Sequence, residues 1–328
     1  MKRLPTRFIL LLVVISAALF ACGDDGLSDG DGGQPPAPSV GVIPADVLAD
    51  FRCGVTGDWL PSERLGQVVT TGDDPPEVQT AEFLDAAFQL AGITLPKPSE
   101  FDVEVDTILY TTQDRGELIE ASALVAYPIN AERDAALPTL LFLHGTSGFT
   151  DGCGPSADAP SSLLIAYMAS LGYAVVAPDY IGLKSFGEPT GFLHPYLVGE
   201  ATAIASLDSV RALYHTVAEN QLEVSLSDRV VLLGGSQGGH AALWVDWLAP
   251  YYAQEMTLIG GVATVPAVDI LGQIQRALQE EVPASANSLA FYGTATSWYG
   301  LSDRLGEVLL PRTPTVPEFL GGQCDPSE

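Results

Sequence analysis

The chain has 328 residues, 47% of them apolar and 17% charged. That is enough to bury one substantial core, and the composition is not that of a disordered polypeptide. The formal net charge of −27 sets nucleic acid aside as a partner and works against anionic substrates.

Met1–Arg7 is basic, and Phe8–Phe20 is an apolar run broken only by Ser16. The run is too short to span a bilayer and fits a secretory signal of residues 1–21. It ends in Leu19-Phe20-Ala21-Cys22, which resembles a bacterial lipobox. That resemblance implies a diacylated Cys22 and export to a bacterial membrane, with Gly23 favouring the outer membrane. The bland alternative is an ordinary cleaved signal with a bystander cysteine. Residues 22–40 read as an acidic Gly/Pro-rich tether. Their aspartates fail the spacing of a calcium loop, so no metal and no cofactor is expected. Cys53, Cys153 and Cys324 remain for an oxidising compartment, which allows one bridge and leaves one thiol.

Residues 41–98 look irregular apart from a helix around 81–88. Phe101–Tyr110 and Ile119–Tyr127 alternate like strands around the turn Asp114-Arg115-Gly116, which reads as an antiparallel hairpin. Thr139–Leu143 is continuously apolar, as a strand covered on both faces requires. A helix is expected from Ser161 and a strand over Tyr173–Ala177. Val198, Ala201, Ile204, Leu207, Val210, Leu213 and Val217 then recur as on a long amphipathic helix, with Asp208 and Arg211 paired along it. Arg229–Leu233 is a strand, Ala241–Leu248 a helix, and Ile259–Ala263 a further strand. Such alternation means an α/β fold with a mostly parallel sheet covered on both faces, spanning 41–265. From 266 to 328 the pattern becomes that of a helical cap.

Ser236 lies in Gly234-Gly235-Ser236-Gln237-Gly238-Gly239, between an apolar strand and a helix. This is the frame of a nucleophile elbow, in which Gly234 and Gly238 leave room for a strained serine. Acyl transfer from such a serine also needs an oxyanion hole. One donor would be the Gln237 backbone N–H, the other the loop at Gly145 and Thr146. Of the four histidines, His144 reads as a loop-fixing residue, His240 as structural and His215 as a surface residue. His194 lies in a loop that could approach the site.

The ordered series His144-Gly145-Thr146, Cys153-Gly154-Pro155-Ser156, Ala177–Leu183, His194-Pro195-Tyr196-Leu197, Leu207–Ala212 and Gly234–Gly239 resembles the secretory lipase family. The resemblance covers roughly residues 100–328. It implies an α/β-hydrolase fold, a neutral ester or lipid substrate, Ser236 as nucleophile, and an oxyanion hole of Gly145 or Thr146 with Gln237. It also implies a Cys153–Cys324 disulfide, leaving Cys53 unpaired. The family places its acid and triad histidine on strands after the cap, and no histidine follows His240 here. Three expectations follow. The first is an esterase- or lipase-like hydrolase whose triad is completed by residues beyond this sequence. The second is an inactive surface lipoprotein that binds an apolar ligand or partner. The third is an enzyme with an unusual base, His194 or His144. Oligomeric state is not legible.

Overall fold

The structure is a computed structural model. It describes residues 59–72, 76–129, 136–219, 224–280, 285–309, 315–322 and 324. The signal segment, Cys22, the tether and Cys53 lie outside the described residues.

The leading hairpin is long. Strands β3 (Val103–Asp114) and β4 (Glu117–Pro128) pair antiparallel over their whole length, from Val103↔Pro128 to Asp114↔Glu117. Arg115 and Gly116 both adopt positive φ, 51° and 84°. A tight hairpin turn that matches the strand twist needs this. Two short strands precede the hairpin, β1 (Val68–Thr71) and β2 (Glu77–Gln79), and both pair with β3. They correct the expectation of an irregular 41–98. These strands are mostly exposed edge pieces, so they carry no alternation to read. The helix α1 (Ala81–Leu90) follows, capped by Thr80.

The strands β5 (Leu137–Leu143), β6 (Ala174–Pro178), β7 (Leu226–Gly235) and β8 (Thr257–Thr264) run parallel and complete one eight-stranded sheet, seven strands in the order β1-β3-β4-β6-β5-β7-β8 and β2 paired beside β3. Alternate residues serve opposite faces. Leu141, Leu143, Val176, Val230 and Leu232 pack into the cluster under α3 (Gly199–Glu219) and α4 (Gln237–Tyr252). Leu140, Phe142, Val175 and Ala177 pack with α2 (Ala159–Ser170) on the other face. Cover on both faces explains why the β5 run is continuously apolar. Asp158 caps α2, which starts two residues before the expected Ser161.

Helix α3 departs from its sequence pattern. It is buried nearly all round rather than on one stripe. The segment ahead of and including β1 crosses its polar side. His215 Nδ1 donates to Gly66 O at 2.7 Å, so His215 is half-buried and not a surface residue. Polar side chains on this helix therefore need internal partners. Ser206 and Thr216 hydroxyls donate to carbonyls one turn back. The Asp208 carboxylate accepts from Arg211 Nη1 at 2.6 Å, Thr112 Oγ1 at 2.7 Å and the Tyr252 hydroxyl. Arg211 also reaches Glu255 and the Tyr252 carbonyl, and the Asp208 and Glu255 carboxylates hold its guanidinium charged despite burial.

After β8 come α5 (Ile270–Gln279), α6 (Ser285–Trp298) and α7 (Val316–Leu320). Ala290, Val316 and Leu320 form a separate apolar cluster with Phe149 and Tyr196. The helical segment thus rests on the loops after β5 and before α3.

Replacing Arg211 by Met would remove the cation that keeps the buried Asp208 ionised and leave its carboxyl short of a partner. Urea unfolding should show a loss of about 3–5 kcal/mol. A change below about 1 kcal/mol would mean the pair is not the anchor described here.

Candidate active site

Strand β7 ends at Gly235 and α4 begins at Gln237, so one residue makes the whole reversal. Ser236 takes φ 58° and ψ −118°, a backbone conformation costly for a residue with a side chain. The neighbours hold it there. A Cβ on Gly234 would lie 2.1 Å from Gly238 O, and one on Gly238 would lie 1.8 Å from Leu143 O. Only hydrogen fits at either place. Ser236 N donates to Thr264 O at the end of β8, 2.9 Å away. The serine side is exposed, at the carboxyl ends of β5, β7 and β8.

The loop after β5 passes beside it. A Cβ built on Gly145 would come 3.9 Å from Ser236 Cβ. Thr146 is held by its side chain: its Oγ1 is 2.9 Å from the Tyr196 hydroxyl, which also accepts from Asn287 Nδ2 of α6 at 2.8 Å. Gln237 is almost fully buried and points away from solvent. Its Nε2 donates to His194 Nε2 at 2.7 Å, and His194 Nδ1 donates to Ile181 O at 2.8 Å. These two bonds fix the neutral Nδ1–H tautomer.

His144 and His194 stack on one ring. Tyr180 lies 4.1 Å from the His144 ring and 5.8 Å from the His194 ring, near-parallel to each. The Tyr180 hydroxyl donates to His144 O. His144 Nδ1 donates to Gly145 O at 2.7 Å, and Nε2 faces Asp179 O at 3.3 Å. Burial pushes the His144 pKa down to about 4 and that of His194 to about 3, so both are neutral at pH 7.

Asp179, next to Tyr180, has no cation among its hydrogen-bond partners. Its carboxylate accepts from the Ser122 and Ser156 hydroxyls and from Ser156 N at 2.8 Å. Burial outweighs these bonds and raises its pKa to about 6. The carboxylate therefore ties β4 to the Cys153–Ser156 loop. Cys153 is in turn disulfide-bonded to Cys324, with Cα atoms 5.3 Å apart across 171 residues of sequence.

Ser236, Gly145, Thr146, Gln237, Gly234 and Gly238 are thus brought together at one point. A base is not. His194 and His144 have their ring nitrogens against Gln237, Ile181, Gly145 and Asp179, which removes the geometry of an unusual base. His240 Nδ1 donates to Ala267 O, and His215 is under the N-terminal segment. Among the later aspartates, Asp269 caps α5, Asp246 lies on α4 and Asp303 in a short turn, while Asp325 lies outside the described residues. Sequence reasoning missed the stack and the Gln237–His194 bond. The only signal was the placement of His194 and Tyr196 in one tetrapeptide.

A sharp strand–serine–helix turn on a partly parallel sheet, with helices on both faces, defines an α/β-hydrolase. The family model that matches, secretory lipase, covers residues 158–314. Lipase A of Moesziomyces aphidis is 25% identical over 197 residues, which is 60% of this chain and 38% of that one. A putative hydrolase from Legionella pneumophila superposes with TM-score 0.65 at 25% identity, covering 79% of this chain and 68% of that chain. The rice cell wall degrading esterase LipA from Xanthomonas oryzae gives 0.64 at 22% identity, covering 79% and 67%. Over residues 158–314, just under half of its length, the chain resembles the secretory lipase family. It spans less than half the length of the curated relatives it matches.

The buried titrating groups set opposing pH dependences. His144 and His194 have folded pKa values below their ordinary 6.5, so the stability they allow is present above about 6.5 and lost as pH falls. Asp179 has a folded value above its ordinary 3.8, so its contribution is present below about 3.8 and lost as pH rises through about 6. Between those limits Asp179 offsets part of the histidine effect. Asp179→Asn should therefore lose thermal stability more steeply than the parent as pH drops from 6 to 4. Equal slopes in paired melting curves would contradict the buried-carboxylate reading.

Proposed function

We propose that this chain carries the nucleophile half of a serine carboxylic-ester hydrolase, lipase- or esterase-like. The observation that carries the reading is the strained Ser236 set beside Gly145 and directly ahead of the Gln237 N–H. In this reading Ser236 Oγ attacks the ester carbonyl as a base takes its proton. The carbonyl oxygen gains the negative charge against the backbone N–H groups of Gln237 and of Gly145 or Thr146. Collapse expels the alcohol, which receives the proton. Water then repeats the attack and releases the acid, restoring Ser236. Gln237 serves through its backbone, and His194 positions it by holding its side chain.

The base and acid, in this reading, come from chain outside the described residues, seated against the β8 side of the sheet. Two features support that. The outer surface there leaves Leu243, Trp247 and Ile259 more than 40% exposed. Ser236 itself is exposed, and the described histidines make their hydrogen bonds elsewhere. The substrate would be neutral, since the acidic chain repels anions. Residues 266–328 would form its cap. The family supports export, and Met1–Cys22 supports a lipid anchor at Cys22 on a bacterial membrane.

The test is active-site labelling by a fluorophosphonate. Protein expressed from the gene's whole reading frame should label at Ser236, and Ser236→Ala should abolish it. His194→Leu should slow labelling by about tenfold or more, less than the full loss of an oxyanion donor. Absence of labelling in the folded whole-frame protein would favour the ligand-binding lipoprotein instead. Separately, Cys22→Ser should release the protein from the membrane fraction if Cys22 is acylated, and should leave its partition unchanged if the signal is an ordinary one.

A further inference from the structure

The hairpin edge of the sheet has a gap. Strand β1 pairs with β3 at Ile108–Tyr110 and β2 pairs with it at Val103–Val105. Asp106 and Thr107 fall between the two. The Thr107 carbonyl accepts from Gly72 N at 2.7 Å, so the Thr107 N–H also points out along that edge. Asp106 Oδ1 takes this N–H at 2.7 Å, which sets the carboxylate in the gap. Asp106 is only 8% exposed. Its other oxygen has no hydrogen-bond partner among the described residues, and the residue borders a cleft of about 400 Å³.

The cleft runs from this gap to the start of α2. Glu77 of β2 lines the edge end and Asp158 the helix end. Val105 of β3, Leu124 of β4 and Phe186 supply apolar surface to it. No Lys, Arg or His lines the space. Lys184, next to Ser185 of the lining, is already paired with Glu120 at 3.1 Å. The positive end of α2 would favour an anion, but Asp158 occupies it and accepts from Ser161 N at 3.0 Å. Burial and the charge of Glu104 push the Asp106 pKa up, against the Thr107 bond. The cleft thus holds a buried carboxylate short of positive charge.

This chemistry discriminates among ligands. An anion would meet three carboxylates with like charge. A metal ion needs ligands that converge, and no group of three His, Cys, Asp or Glu among the described residues could hold one. A neutral polyol could donate to the carboxylates but would leave the buried charge of Asp106 uncompensated. An alkyl chain with separated ammonium groups matches separated carboxylates and lays its methylenes on the apolar surface. The acidic chain as a whole also concentrates such cations around it. We infer that this cleft binds a linear aliphatic polyamine, one ammonium donating to Asp106 on the Glu77 side and a second facing Asp158. Ser236 does not line the cleft, so binding here does not depend on hydrolysis there.

Calorimetric titration of the whole chain with butane-1,4-diamine, at about 0.15 M sodium chloride to screen loose attraction, should show saturable binding. Butylamine has the same stem and one charge, and should bind at least about tenfold more weakly. Asp106→Asn should weaken the diamine by about tenfold, with a melting curve to show that the variant is folded. Glu77→Gln lies at an exposed position, safe for folding, and should weaken it by about threefold. It decides the matter if Asp106→Asn does not fold. Glu63→Gln removes an equally exposed charge outside the cleft and should leave the affinity unchanged. An equal loss in Glu63→Gln, or displacement by magnesium chloride at equal ionic strength, would reduce the binding to a diffuse attraction and overturn the inference. So would no saturable binding, equal affinity for butylamine, or full affinity in Glu77→Gln or in folded Asp106→Asn.

Discussion

One tyrosine ring held between two neutral imidazoles organises the surroundings of the nucleophile. Tyr180 has φ 68°, a strained value for an aromatic residue. Its ring packs on His144 from the loop after β5 and on His194 from the segment before α3. His144 closes on Gly145, and His194 closes on Gln237. The two candidate oxyanion donors thus come from distant stretches of sequence and are spaced by one rigid stack. Charging either imidazole would put a cation into a fully buried site. Their neutrality is therefore a condition of the geometry.

The helical segment is joined to that same centre. Asn287 on α6 binds the Tyr196 hydroxyl, which binds Thr146. Phe149 meets Tyr196 edge to face and packs in the cluster with Ala290, Val316 and Leu320. The loop that would supply an oxyanion donor is consequently clamped from below by the sheet and from above by these helices. Motion of α6 would be felt at Thr146 through two hydrogen bonds.

Much of this architecture is legible in the amino-acid order, and the limits have physical causes. The β5 run and the elbow could be read because burial on both faces and crowding at Ser236 leave few residue types possible. The long hairpin could be read because the Arg115-Gly116 turn punctuates it. Strands β1 and β2 could not, being short, polar and at the edge. Helix α3 showed its apolar stripe, but its buried polar side looks like a solvated one until the Gly66 segment is seen lying over it. The His194–Gln237 bond joins residues 43 apart in sequence and rests on tertiary contact alone. Roles for His144 and His240 were legible as structural because neither residue sits where a base must follow the nucleophile.

The Cys153–Cys324 bond closes a loop that contains α2, the Tyr180 turn, α3, the elbow and most of the helical segment. A crosslink over so long a loop restricts the unfolded chain by about 5 kcal/mol in the simple entropic model. It also makes the molecule tolerant of cutting. A protease that nicks the backbone anywhere between the two cysteines leaves the pieces covalently joined and packed on a common sheet. Such a nicked molecule would run as one species on a non-reducing gel and as two after reduction. The same bond ties correct assembly to an oxidising compartment, so production in a reducing cytosol would yield a chain whose Cys153 loop is no longer fastened beside Asp179.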